Sequence, residues 1–284
     1  MPNAFTAPSN VISGYLIVTP ISGLDSIDLI TLILSSTFLY VSGVIFNDYF
    51  DIEIDRKERP SRPLPSGGIS KERAKKIAFS LMLFALILAF TVSWTSFVIA
   101  VFLSGIIIAY NYRLKHNKFF SPLTMSSARF LNVILGASPS LNLSFQTNLQ
   151  QLIFAALSIL TYVFVISLFS RKEIIGMQEK RQIIILFSIV YVIIVLITIV
   201  TLLGFFMMWS FIILIPFAII MGIIFKQTLS GDSEDIKRGI KNMVISMIIL
   251  DSIFITGVAG LSYGLPTLLF LFPSILLSRK FYVS

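Results

Sequence analysis

The chain divides into long apolar blocks at about 10–24, 27–50, 74–95, 97–112, 119–140, 151–170, 182–204, 207–226, 238–261 and 265–279, separated by short polar breaks. A helix needs about 20 apolar residues to cross a bilayer core, and most of these blocks approach that length. The pattern predicts an all-α, polytopic membrane bundle of nine or ten transmembrane helices, forming a single domain over 1–284. The first block is short and interrupted by Pro20 and Gly23, and the last has the length of a half-span. Composition agrees: 56% of residues are hydrophobic, 13% are charged and the mean hydropathy is +0.91.

The formal net charge of +8 matters less than where the charges fall. Of the 22 Lys and Arg, 21 lie in the segments 56–76, 113–118, 171–181, 226–241 and 279–280, between the blocks or at their ends, and Arg129 alone lies well inside one. This is the asymmetry of the positive-inside rule, and it predicts that the N-terminus and every second loop face the cytoplasm of a cell membrane. Nothing in it points to nucleic acid. With no Cys and a single His, His116, thiolate and His-ligated metal sites are excluded; a bound metal would be a hard cation held by oxygen.

The second block ends in NDYFDIEIDRKERPSRPLPSGG. Asn47, Asp51 and Asp55 stand at i, i+4 and i+8, so on a continuing helix they fall within about 80° of one face, with Asp48 beside it. Oxygen-bearing side chains that converge at a membrane boundary are costly without compensating positive charge. Mg2+ suits them, because it takes one or two carboxylates and fills its shell with water and phosphate oxygens. An acidic helix end can also simply be solvated or pair with Arg56, Lys57 and Arg59. Against that reading, Asn47 at the membrane-facing position is a poor member of a solvated charge run and a good neutral ligand. The Pro-rich segment that follows also presents Arg59 and Arg62 on a defined loop. A metal with Arg alongside is, physically, a diphosphate site.

The run Asn47-Asp48-x-x-Asp51-x-x-x-Asp55, followed by Arg59-x-x-Arg62-Pro63-Leu64, resembles the first signature of the UbiA superfamily of intramembrane prenyltransferases. The resemblance continues through Tyr110-Asn111-Tyr112-Arg113-Leu114-Lys115 and Arg129-x-x-Asn132-x-x-x-Gly136. It implies a helical bundle around a central cavity and transfer of an isoprenoid chain from a prenyl diphosphate to a lipophilic, aromatic or hydroxyl acceptor. It further implies Mg2+ on Asn47, Asp48, Asp51, Asp55 and Glu173, and diphosphate on Arg59, Arg62, Lys115 and Arg171. Asp51, Asp55 and Lys115 take the catalytic roles, and Asn10, Tyr112, Arg129 and Asn132 line the cavity. An intramembrane Arg is a functional candidate by default; the equal alternative for Arg129 is a structural pair with Asp251.

The family's second signature, DxxxD at the end of the sixth span, is replaced by SLFSRKEIIGMQEKR, in which Glu173 and Glu179 are not at i, i+4. The Ser170-Arg171-Lys172-Glu173 run is similar to that of a divergent, EboC-like branch. The competing readings are a CDP-alcohol phosphotransferase, whose Asp-Gly-x-x-Ala-Arg lead-in is missing, and a transporter or non-catalytic lipid-binding relative.

Overall fold

The computed structural model describes residues 5–141, 148–173 and 180–280, with the side chains of 171–173 and 279–280 outside the description. Among the described residues the regular structure is helical: α1 (Thr6–Val18), α2 (Ser26–Phe50), α3 (Ile52–Glu58), α4 (Lys71–Val92), α5 (Trp94–Tyr112) and α6 (Phe120–Ala137), then α7 (Leu149–Glu173), α8 (Lys180–Leu202), α9 (Phe211–Thr228), α10 (Ser233–Ala259), α11 (Leu261–Thr267) and α12 (Leu271–Lys280). Among the described residues eight segments are long and apolar enough to cross a membrane, α11 and α12 counting together as Leu261–Ser278. The protein is therefore an integral, multi-pass membrane protein. The two expected spans outside that set are α1 and α6. α1 has 13 residues and is buried along nearly its whole length, whereas α6 carries Arg129 and Asn132 and buries one face against the bundle.

Local chemistry fixes the helix ends. Asp25 accepts from the amides of Ile27 and Asp28 at the start of α2, Ser93 from Ser96 at the start of α5, and Asp232 from Glu234 and Asp235 at the start of α10, each satisfying donors that the helix cannot. Gly260, at φ 87°, ends α10 in a conformation that L side chains rarely adopt.

α2 and α4 pack antiparallel, with Ser35 and Ser42 donating to the carbonyls of Ala85 and Ala78 at 2.8 Å each. α1 lies against α6 at backbone contact: a Cβ on Gly14 would overlap the carbonyl of Val133, and one on Gly136 would overlap that of Val11. Among the described residues, buried apolar side chains form two large clusters, one across α1, α2, α4 and α5 and one across α7 to α10. α1, α6 and α10 run between them, and α10 is buried along most of its length. Large apolar side chains such as Leu83, Ile87 and Phe90 on α4 and Val192, Val195 and Ile199 on α8 face outward, as a lipid-facing surface requires.

Candidate active site

The acidic run does not sit on one unbroken helix. α2 ends at Phe50, Asp51 takes φ −91° and ψ 5°, and α3 restarts at Ile52. The i to i+4 backbone bonds survive across this junction, from Asp51 N to Asn47 O at 3.0 Å and from Asp55 N to Asp51 O at 2.8 Å. The bend therefore keeps the Asp residues one turn apart while turning α3 off the α2 axis. Ile52 buries against Leu64 and Ala74, which fixes the loop that carries Arg62.

Two cations reach the cluster from different parts of the chain. Arg62 Nη1 donates to Asp55 Oδ2 at 2.8 Å and to Asp48 Oδ1 at 3.2 Å. Lys115 arrives from the turn after α5, with its Nζ 2.6 Å from Asp51 Oδ1 and 3.3 Å from Asn47 Oδ1. The Lys115 and Asp55 side chains are only 9% and 6% exposed, so these contacts are shielded from bulk water. Asp51 Oδ1 is buried and takes no directed hydrogen bond; the ammonium is its close ionic partner. Asn111 anchors the end of α5 on α2 by donating to Gly43 O at 3.1 Å, which delivers Lys115 to the site.

The other expected residues divide. Arg59 is exposed on the loop, away from the Arg62 ion pairs. Tyr112, expected in the cavity, is 68% exposed and packs edge-on against Phe50. The reason is that Asn111 points into the α2 interface, so its neighbour is rotated about 100° away from it. Arg171 and Glu173 lie at the end of α7 with side chains outside those described, and Glu179 lies outside the described residues altogether.

Deeper in the bundle a polar band joins α1, α2, α6 and α10, where a central cavity is expected. Asn132 accepts from Ser36 Oγ at 2.6 Å and donates to Ala7 O at 2.8 Å, so its amide links α6 to α2 and α1. Asn10 Nδ2 donates to both oxygens of Asp251 at 3.1 and 2.9 Å, and Ser9 Oγ donates to Oδ2 at 2.6 Å. Asp251 is thus held by α1, and the alternative Arg129–Asp251 contact pair is not formed. Arg129 instead lies over the Tyr40 ring, 5.7 Å from its centroid. Ser36, Tyr40, Gly43, Asn47 and Asp51 recur at helical spacing, which puts them on one face of α2. Tyr40 is about 16 Å from Asp51 along the axis at 1.5 Å per residue. The sequence reading found the lower end of this stripe and missed its continuation to Tyr40 and Ser36, although the same spacing marks it.

The donor set fits Mg2+ of a particular kind. Among the described residues no three acidic or His side chains converge closely enough to hold an ion unaided. Asp48, Asp51, Asp55 and the Asn47 amide are hard oxygen donors within two turns, suited to an ion that shares its shell with phosphate oxygens. A largely apolar cleft of about 310 Å³ lined by Tyr15, Leu24, Asp25 and Tyr263 lies at the other end of α2, away from this chemistry.

The family model of the UbiA prenyltransferase family matches residues 9–249. Among curated proteins, a digeranylgeranylglyceryl phosphate synthase from Methanobrevibacter smithii is 36% identical over 126 residues, which is 42% of this chain and 44% of that protein. The chain spans between 43% and 60% of the lengths of three such relatives. A solved structure described as concerning digeranylgeranylglyceryl phosphate synthase in membranes superposes with a TM-score of 0.69 at 24% identity, covering 91% of this chain and 95% of that one. A UbiA homologue from Archaeoglobus fulgidus bound to DMAPP and Mg2+ superposes with a TM-score of 0.56 at 15% identity, covering 94% and 95%. Both likenesses are of fold.

Proposed function

Because the chain belongs to the UbiA prenyltransferase family, we propose that it transfers an isoprenoid chain from a prenyl diphosphate to the hydroxyl of a glycerol-phosphate lipid, with the site at the cytoplasmic face. The observation that carries this reading is the cluster at the end of α2, where three carboxylates and an amide meet Arg62 and Lys115 above a polar stripe leading inward. The acceptor class is supported by the names of the relatives, digeranylgeranylglyceryl phosphate synthases, and the donor and metal by the DMAPP and Mg2+ bound to the Archaeoglobus fulgidus homologue.

Mg2+ held by one or two of Asp48, Asp51 and Asp55 together with the Asn47 amide would neutralise diphosphate charge and so ease departure of the leaving group. Arg62 and Lys115 supply fixed positive charge where negative charge develops as the C1–O bond breaks. Arg59, exposed on the same loop, steers the anionic donor toward them. Arg171 and Glu173 are assigned to the far side of the diphosphate on the resemblance alone. Arg129, over the Tyr40 ring further along the same stripe, supplies positive charge in the cavity for the acceptor phosphate. The hydroxyl oxygen bonds to C1 as the C1–O bond breaks, the departing diphosphate takes the electron pair and then accepts the hydroxyl proton, and the apolar bundle keeps water from competing.

The test is diphosphate release and product formation by the protein in nanodiscs, using labelled prenyl diphosphates of several lengths and a glycerol-phosphate lipid acceptor. Mg2+-dependent turnover that falls at least about 100-fold in Asp51→Asn is expected. Donor binding without turnover at any chain length, acceptor present, would instead favour a non-catalytic lipid-binding relative.

A further inference from the structure

Each Asp of the cluster is already engaged by a basic side chain. Lys115 sits on Asp51 at 2.6 Å and Arg62 bridges Asp48 and Asp55 at 3.2 and 2.8 Å. These are the oxygens a divalent ion requires, and an ammonium and a divalent ion cannot share Asp51 Oδ1 at low dielectric without strong repulsion. The cations are equally the groups a diphosphate requires. Three carboxylates against two cations leave the set with one net negative charge, which repels a diphosphate that arrives without a metal.

We propose that Lys115 and Arg62 are exchangeable counter-ions, which move from carboxylate to diphosphate and thereby make metal and diphosphate bind as a coupled pair. The proposal rests on the diphosphate-site reading and deepens it. Geometry supports the exchange. Lys115 comes from the turn between α5 and α6 and Arg62 from the loop after α3, so both heads can turn away while the carboxylates stay on the α2–α3 backbone. Asp51 Oδ1 is buried and its close contact is the Lys115 ammonium, so departure of that ammonium leaves the oxygen free for another cation. Linkage then requires reciprocity: diphosphate must raise metal affinity by the factor by which metal raises diphosphate affinity. The consequence for the enzyme is protection against metal or free phosphate binding alone.

The test titrates Mn2+, as a paramagnetic substitute for Mg2+, into the full chain in nanodiscs, followed by electron paramagnetic resonance with and without inorganic pyrophosphate. Free-ion concentrations are corrected for chelation by the pyrophosphate. In the unaltered chain, pyrophosphate is expected to raise Mn2+ affinity on the order of 10-fold. Lys115→Gln should bind Mn2+ more tightly without pyrophosphate and lose most of the enhancement. Arg62→Gln tests the same exchange through Asp48 and Asp55, which covers misfolding of either variant. Mn2+ affinity that is the same with and without pyrophosphate in the unaltered chain, or that falls in both variants, overturns the proposal. Because pyrophosphate carries no prenyl chain, coupling observed without any prenyl transfer would overturn the transferase reading and leave the exchange standing. Transfer with uncoupled metal binding would do the reverse.

Discussion

Arg129 is the side chain whose role depends most on what it does not touch. Its guanidinium rests on the Tyr40 ring while Asp251, the nearest candidate for neutralising it, is bound by Ser9 and Asn10. A half-buried cation with an aromatic neighbour and no ion pair among the described residues suits an anionic ligand. Arg129→Gln is expected to raise the KM for a glycerol-phosphate acceptor on the order of 10–100-fold. Donor affinity, measured separately with prenyl diphosphate, should be little changed. At this scale the sequence disclosed which residues carry charge and at what spacing, and Asn47, Asp51 and Asp55 were legible for that reason. Which cation meets which carboxylate was not legible. Lys115 is far from Asp51 in the chain, and only the packing of α5 on α2 brings them together.

The contact between α1 and α6 offers the clearest test at the level of elements, because it leaves no room for even a methyl group. Gly136→Val should destabilise the protein by about 1–3 kcal/mol or more through overpacking, seen as a lower Tm in detergent than for the unaltered chain. The same substitution at Gly105, where a Cβ would meet nothing within 4 Å, is the control. Replacing Asp25 by Ala removes the cap of α2, with an expected cost of about 1 kcal/mol, and a smaller drop in Tm checks it. Hydropathy made most helices legible but could not separate a lipid-facing span from an interior one. α6 was expected as an ordinary span and α1 as a short, interrupted one, and it is burial that permits only 13 residues in α1. The break at Asp51 was likewise invisible, since no Pro or Gly marks it.

For the whole molecule the positive-inside pattern makes a prediction that the chain is well suited to test, because it contains no native Cys. Ser66→Cys, in the basic loop after α3, should react with a membrane-impermeant maleimide only after the cell membrane is opened, whereas Trp94→Cys, at the start of α5 next to the uncharged turn at Ser93, should react in intact cells. The opposite labelling would place the carboxylate cluster on the outer side and remove the cytoplasmic assignment. The path of α1 has a further consequence, for biosynthesis. This helix leaves the ribosome long before its partner α10, which begins more than 200 residues later at Ser233, a delay on the order of ten seconds or more at ordinary rates of translation. Throughout that interval Asn10 and Ser9 lack the Asp251 carboxylate they will bind. α1 is too short and too polar to settle in lipid alone, so its final seating must await the late helices, and a chain truncated before α10 should leave it accessible to chaperones and proteases.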